Sequence, residues 1–145
     1  MIAGIGIDLV DVARIDALSR RWQGAFLRRV YTEAEIAYCR DRACPAVHLA
    51  ARFAVKEAFL KSLGLGLGMG IHLREIETVN EPGGRPRIKL SENAQVLMSS
   101  RGIDRVSVSI THTRAQAAAF VTLEQRTDRF EADWLSGDRG DETQT

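Results

Sequence analysis

PAVHLAARFAVKEAFLKSL, residues 45–63, is the stretch from which the rest of the chain is best read. Proline stands in its first turn, no glycine interrupts it, and Gly64 lies just past its end, which is the punctuation of a long helix. Ala50, Phe53, Ala54, Glu57, Ala58 and Lys61 share one broad face, because positions i, i+3, i+4 and i+7 are neighbours on a helix. Alanine and phenylalanine on that face read as core. Glu57 and Lys61 on the same seam are out of place there. The bland alternative is a surface i,i+4 ion pair, worth about 0.3 kcal/mol.

Upstream, Thr32-Glu33-Ala34-Glu35 is a capping-box pattern and predicts a second helix running to about Arg42. Val12, Ile15, Leu18 and Trp22 recur at close to helical spacing and predict another from Asp11. Before it, Ile2, Ile5, Ile7, Leu9 and Val10 form a short β-branched run that reads as a buried strand. Asp8 interrupts that strand. A buried carboxylate costs several kcal/mol unless it is paired or bound to a cation; the plain alternative here is a salt bridge to an arginine.

Downstream, Gly64, Gly66, Gly68 and Gly70 alternate with Leu65, Leu67 and Met69. This loop lacks the Gly-Lys-Ser/Thr of a Walker loop. It also follows a helix, where a dinucleotide fingerprint needs a strand. Residues 71–79 and 87–90 flank the turn Asn80-Glu81-Pro82-Gly83-Gly84 and predict a hairpin. Ser91 is an N-cap for a short helix that Gly102 stops. Val106, Val108 and Ile110 alternate with Ser107, Ser109 and Thr111 as a half-buried strand ending at His112, and residues 115–123 read as its hairpin partner. The expected fold class is α+β, a mostly antiparallel sheet wrapped around the long central helix. The Val106, Val108 and Ile110 face is either core or a subunit interface.

The 145 residues, 45% hydrophobic and 27% charged, suit one soluble domain. A net charge of +1 disfavours a generic nucleic-acid coat or membrane-surface binder. Cys39 and Cys44 are too few for a disulfide framework or a zinc cluster and read as free thiols of a reducing cytoplasm. No apolar run approaches the ~18 residues of a membrane span, and MIAGIGIDLVDV lacks the basic start of a signal peptide. Charge is unevenly placed. Residues 126–145 carry three arginines against six acids and read as an acidic, partly disordered tail beyond a domain at 1–125. Conversely, Arg14, Arg20, Arg21, Arg28 and Arg29 are opposed only by Asp16, which is a solvated face or a docking patch for an acidic partner.

Asp8, Glu57 with Lys61, and His112 are thus the polar groups that packing does not explain. Two carboxylates without a cysteine or histidine cluster suit a hard, oxygen-loving ion such as Mg2+, which fills its octahedron with water and phosphate oxygens. Lysine adds a point charge for phosphate, and histidine binds phosphate or moves a proton. The chemistry is phosphoryl-group handling, weighed against scattered, satisfied polar groups.

GIGIDLVDVARI (4–15), RFAVKEAFLKSLG (52–64) and VSVSITHTRAQAAAFV (106–121), with the turn GGRPRI (83–88), are similar in order and spacing to the holo-[acyl-carrier-protein] synthases, the small 4′-phosphopantetheinyl transferases. The likeness covers about residues 1–125. It implies transfer of the 4′-phosphopantetheine arm of coenzyme A to a serine hydroxyl of apo-acyl carrier protein, with release of adenosine 3′,5′-bisphosphate. It puts the Mg2+ carboxylates on Asp8 and Glu57, the helix lysine on Lys61, and a phosphate-proximal histidine on His112. Arg52 falls near coenzyme A, and Arg14 faces the carrier protein, a role extended here to Arg20, Arg21 and Arg28. A homotrimer with sites at subunit interfaces is implied as well. Val55 and Ser62 depart slightly from the pattern. Glu57, a metal-bound water and Lys61 all stay open as acceptor of the serine proton. Two other functions compete: a docking module for an acidic protein, and a Mg2+-dependent hydrolase of nucleoside pyrophosphates.

Overall fold

The structure is a computed structural model that describes residues 1–22 and 24–126; the acidic tail expected over 126–145 lies, apart from Arg126, outside the described residues. Five strands and five helices follow one another as β1 (Ile2–Asp11), α1 (Val12–Arg21), α2 (Ala25–Val30), α3 (Glu33–Arg40), α4 (Pro45–Ser62), β2 (Ile76–Asn80), β3 (Pro86–Leu90), α5 (Glu92–Ser100), β4 (Ile103–His112) and β5 (Gln116–Gln125). A 3-10 turn at Leu73–Glu75 precedes β2. The α+β expectation holds, with one difference. The strands form two antiparallel sheets, β1-β5-β4 and the hairpin β2-β3.

Helix α4 is the centre. Twelve of its eighteen residues are buried, as expected of a helix packed on several sides. Its neighbours are β1 and β5 of the large sheet, α1, α3, and β2 of the hairpin. The capping box forms as read: Thr32 Oγ1 accepts from the Glu35 backbone N–H, and the Glu35 carboxylate accepts from the Thr32 N–H. That same carboxylate also accepts from the Lys56 ammonium at 2.8 Å and, through its other oxygen, from the Thr78 N–H at 2.8 Å. Lys56 donates further to the carbonyls of Leu73 and Ile76. Both side chains are fully buried, so this pair ties α3, α4 and β2 together at a point that sequence reading did not single out.

Strand β1 corrects the sequence reading. Its register pairs Gly4 with Leu123, Gly6 with Val121, Asp8 with Ala119 and Val10 with Ala117. Residues alternate faces along a strand, so the glycines, Asp8 and Val10 face α4. Ile5, Ile7 and Leu9 point the other way and are more than half exposed, beside a 42% exposed Phe120 on β5. The run is therefore not buried on both faces among the described residues. Val106, Val108 and Ile110 pack against the core, and the apolar face left open is that of β1 and β5.

The glycines explain the geometry. A Cβ on Gly6 would sit 1.8 Å from the Ala58 carbonyl oxygen, and one on Gly4 2.1 Å from that of Ser62. Only glycine lets the strand backbone lie directly on the helix backbone there.

Candidate functional site

Asp8 leaves β1 on the α4 side, two residues after Gly6, so the close strand–helix approach carries it to the C-terminal half of α4. There its Oδ1 accepts from the Lys61 ammonium at 2.7 Å, and Lys61 also donates to the Ile7 carbonyl at 3.2 Å. The partner of Asp8 is thus this lysine, not an arginine, and Lys61 reaches to Asp8 where the bland reading paired it with Glu57. The Asp8 side chain is only 14% exposed while Lys61 is 52% exposed. Glu57, one helical turn before Lys61, has its Oε1 buried with no hydrogen-bond partner among the described residues. Burial raises its pKa first, the Asp8 charge raises it further, and Lys61 and Arg14 oppose them. Two carboxylates are therefore held close in a partly desolvated corner with one oxygen left unsatisfied. Such an oxygen is a standing cost unless something binds it.

Among the described residues no group of three or more histidine, cysteine, aspartate or glutamate side chains gathers as a metal cage. The donor set is a pair of carboxylates with an orphaned oxygen. It fits a hard cation that takes one or two protein oxygens and completes its shell with water and phosphate.

A second cluster surrounds the N-terminal half of α4. His48 lies with its ring centroid 6.0 Å from that of His112 and 6.1 Å from that of Tyr38. The guanidinium carbons of Arg42 and Arg52 each lie 4.0 Å from the Tyr38 ring centroid. Arg52 is buried; its Nη2 donates to Asn80 Oδ1 at 2.9 Å, and its Nε has no partner among the described residues. The pKa of His48 is lowered, by burial first and then by the charges of Arg52, His112 and Arg42. This crowding of cationic groups around unsatisfied donors suits an anion. Arg52 and His112 belong to the sequence-derived set. His48, Tyr38 and Arg42 were missed, although His48 with Arg52 and Tyr38 with Arg42 each stand at i,i+4, a spacing that flags a shared face.

The chain does not bring the two clusters together. His48 and Glu57 are nine residues apart on α4, which at 3.6 residues per turn puts them about 180° apart around the helix. His112 ends β4, and Asp8 lies on β1; β5 separates the two strands, a gap of about 10 Å. Of the docking arginines, Arg14 is near enough to act on Glu57, Arg20 is paired with Asp16 at 3.1 Å, and Arg21 lies over Trp22.

A family model described as the 4′-phosphopantetheinyl transferase superfamily matches residues 4–134. A holo-[acyl-carrier-protein] synthase of Syntrophus aciditrophicus is 52% identical over 124 residues, covering 86% of this chain and 97% of that one. One from Geobacter sulfurreducens is 42% identical over 125 residues, covering 86% and 99%. Among solved structures, the holo-[acyl-carrier-protein] synthase of Neisseria meningitidis superposes with a TM-score of 0.81 at 34% identity over 86% of this chain and all of that one. The Helicobacter pylori enzyme, solved in complex with coenzyme A, superposes with a TM-score of 0.74 at 34% identity over 83% and 99%.

Proposed function

The chain belongs to the holo-[acyl-carrier-protein] synthases of the 4′-phosphopantetheinyl transferase superfamily, and on that premise we propose that it moves the phosphopantetheine arm of coenzyme A to a serine of an apo-acyl carrier protein in the cytoplasm. The serine oxygen attacks the phosphorus that carries the pantetheine and gives up its proton, for which Glu57 and Lys61 are this chain's own candidate acceptors. The bond from that phosphorus to the bridging oxygen breaks, and adenosine 3′,5′-bisphosphate leaves. The observation that carries this reading is the Asp8–Glu57–Lys61 corner, with a buried carboxylate oxygen that no described residue satisfies.

Asp8 and Glu57 would hold Mg2+. Such an ion, when bound, screens the pyrophosphate and the charge that grows on the leaving bisphosphate. Lys61 adds a point charge on the same side and orients Asp8. Arg52, His48 and His112 hold phosphate groups of coenzyme A, with Arg52 fixed in place by Asn80. Much of the rate then comes from holding the hydroxyl in line with the leaving oxygen. Arg14, Arg20, Arg21 and Arg28 face the carrier protein, whose acidity they complement, chiefly speeding association.

We propose further that three copies assemble through the exposed Ile5, Ile7, Leu9 and Phe120 face. A ten-residue edge strand with an open apolar face is a liability in a free monomer. Assembly covers it, and it lets the acid pair of one copy meet the His48–His112–Arg52 cluster of the next.

The test is incubation with apo-carrier protein, coenzyme A and Mg2+, with mass spectrometry of the carrier. A gain of about 340 Da is expected, lost on chelation and lost in folded Asp8→Ala and Glu57→Ala. Near wild-type transfer by both variants would remove the assignment of the two carboxylates. Consumption of coenzyme A without a modified carrier would replace the transferase with a hydrolase.

A further inference from the structure

Arg28 and Arg29, the end of the basic run read from the sequence, share a surface with a further arginine that sequence order hides. A concavity of about 520 Å³ opens where α2 meets the 3-10 turn, lined by Arg28, Arg29, Thr32, His72, Arg74 and Glu75, with Ser91 at its edge. Arg74 is more than forty residues from Arg29 in the chain, so no charge run announces the cluster. Among the described residues none of Arg28, Arg29 and Arg74 has a carboxylate within ion-pairing distance.

Glu75, the one acid in the concavity, is spent on the scaffold. Its Oε2 accepts from the His72 N–H at 2.7 Å, and its Oε1 accepts from Ser91 Oγ at 2.8 Å and Asn93 Nδ2 at 3.0 Å. These bonds lower its pKa, the His72 N–H most, and keep it ionised. They also fasten the 3-10 turn to the start of α5, so Arg74 stands on a fixed platform. Arg29 is shared with the neighbouring groove of Trp22, Ala25 and Phe26. The basic concavity and an exposed aromatic anchor therefore meet at Arg29.

An apolar groove bordered by unpaired arginines is complementary to an acidic amphipathic helix. Apolar side chains enter between Trp22 and Phe26, and carboxylates reach the guanidinium groups on either side. We propose that Arg29 and Arg74, with Arg28, form a second basic dock for the acidic carrier protein, continuing the α1 patch round the α1–α2 corner onto the 3-10 turn. This rests on the transferase reading above. It adds to that reading a binding footprint that includes a residue far from the first helix in sequence.

The test uses the full-length protein, apo-acyl carrier protein, coenzyme A and Mg2+, with Arg74→Glu and Arg29→Glu. Each is expected to raise the KM for the carrier about five- to tenfold at ~50 mM salt, while the KM for coenzyme A stays within about twofold. The gap from wild type should narrow as salt rises toward ~0.5 M, where the Debye length falls to a few ångströms. The double variant should make carrier binding less salt-dependent than in wild type. If wild type transfers phosphopantetheine and both variants match its carrier KM and its salt dependence, the dock is wrong and the transferase reading stands. A rise in both KM values that salt does not alter would mean a general loss of structure and would also overturn the dock. If wild type transfers nothing, both readings fall.

Discussion

Replacing Gly6 by alanine tests the link between fold and chemistry most directly. The added methyl would meet the Ala58 carbonyl oxygen at 1.8 Å, the Ala58 carbonyl carbon at 2.8 Å and the Ser62 nitrogen at 2.8 Å, where ordinary contact begins near 3.4 Å. All three are backbone atoms of the C-terminal end of a buried helix, so no rotamer change relieves them. The helix must retreat from β1 by roughly 1.5 Å in an interior packed at crystal density. Overpacking typically costs 1–3 kcal/mol, and the rigid partners on both sides place this case at about 3 kcal/mol or above. For a domain of this size that is a fall in Tm of roughly 12 °C.

The same displacement reaches the site. Asp8 is two residues beyond Gly6 on the same face of β1, and Glu57 is the residue before Ala58 on α4. Pushing strand from helix parts the two carboxylates, and a misplacement of ~1 Å is worth about a hundredfold in rate. The assays are thermal unfolding by circular dichroism and transfer to carrier protein, measured well below the variant's Tm so that unfolding is not read as lost chemistry. Gly83→Ala is the control. Nothing lies within 4 Å of the place its methyl would take, and its φ is not positive, so it should melt within about 1 °C of wild type. A Gly6→Ala protein that melts with wild type and transfers at its rate would refute both the packing argument and the claim that this packing sets the site.

Ile7→Asp puts a charge in the open apolar face and should turn an assembled species into monomer, seen by sedimentation, with activity lost. Mixed after unfolding and refolding together, Asp8→Ala and His112→Ala subunits should regain part of the activity that each lacks alone, since a shared site can draw its acid from one copy and its histidine from another; no recovery would place each site within one chain. Lys56→Met leaves the buried Glu35 carboxylate without its cation and should cost about 3 kcal/mol by denaturant unfolding. Adding Glu35→Gln to it should recover part of that loss. Burial pushes the Cys39 thiol up to about 11 and raises the Tyr31 phenol well above its ordinary value. The unfolded chain gives up these protons at lower pH than the folded one, so the stability that the Cys39 thiol confers is whole below about pH 9 and drains away as pH rises through 11, by about 3 kcal/mol. Cys39→Ala should flatten that alkaline slope, and at pH 8 iodoacetamide should label exposed Cys44 and spare Cys39.

The central helix, the capping box at Thr32 and the final hairpin were legible because each is written locally. Proline and glycine punctuate α4, a hydroxyl and a carboxylate three residues apart write the cap, and strict alternation writes β4. What was not legible depends on which partner lies across a face. The hairpin β2-β3 reads the same whether it joins the main sheet or stands apart from it, and residues 71–75 read as strand until the Glu75 carboxylate is seen folding them into a 3-10 turn. Lys56 was invisible for a similar reason. A lysine on a helix is ordinarily solvated, and only the arrival of Glu35 and two carbonyls from β2 and its approach makes it a buried strut.

Strand β1 shows how the misread part and the site are one problem. A run of isoleucines read as buried on both faces, yet the isoleucines alternate with glycine, and that alternation carries the information. Gly4 and Gly6 keep one face free of side chains ahead of Asp8, because a helix backbone occupies the space; the other carries Ile5, Ile7 and Leu9, and nothing among the described residues covers it. The first face brings Asp8 to Glu57. In the assembly proposed above another copy covers the second, and it would also offer the acid pair an Arg52–His48–His112 cluster, which α4 turns away from the acid pair of its own chain. A strand with this pattern has a use on each face, one within the subunit and one between subunits, and in our reading the active site is complete only where both are satisfied.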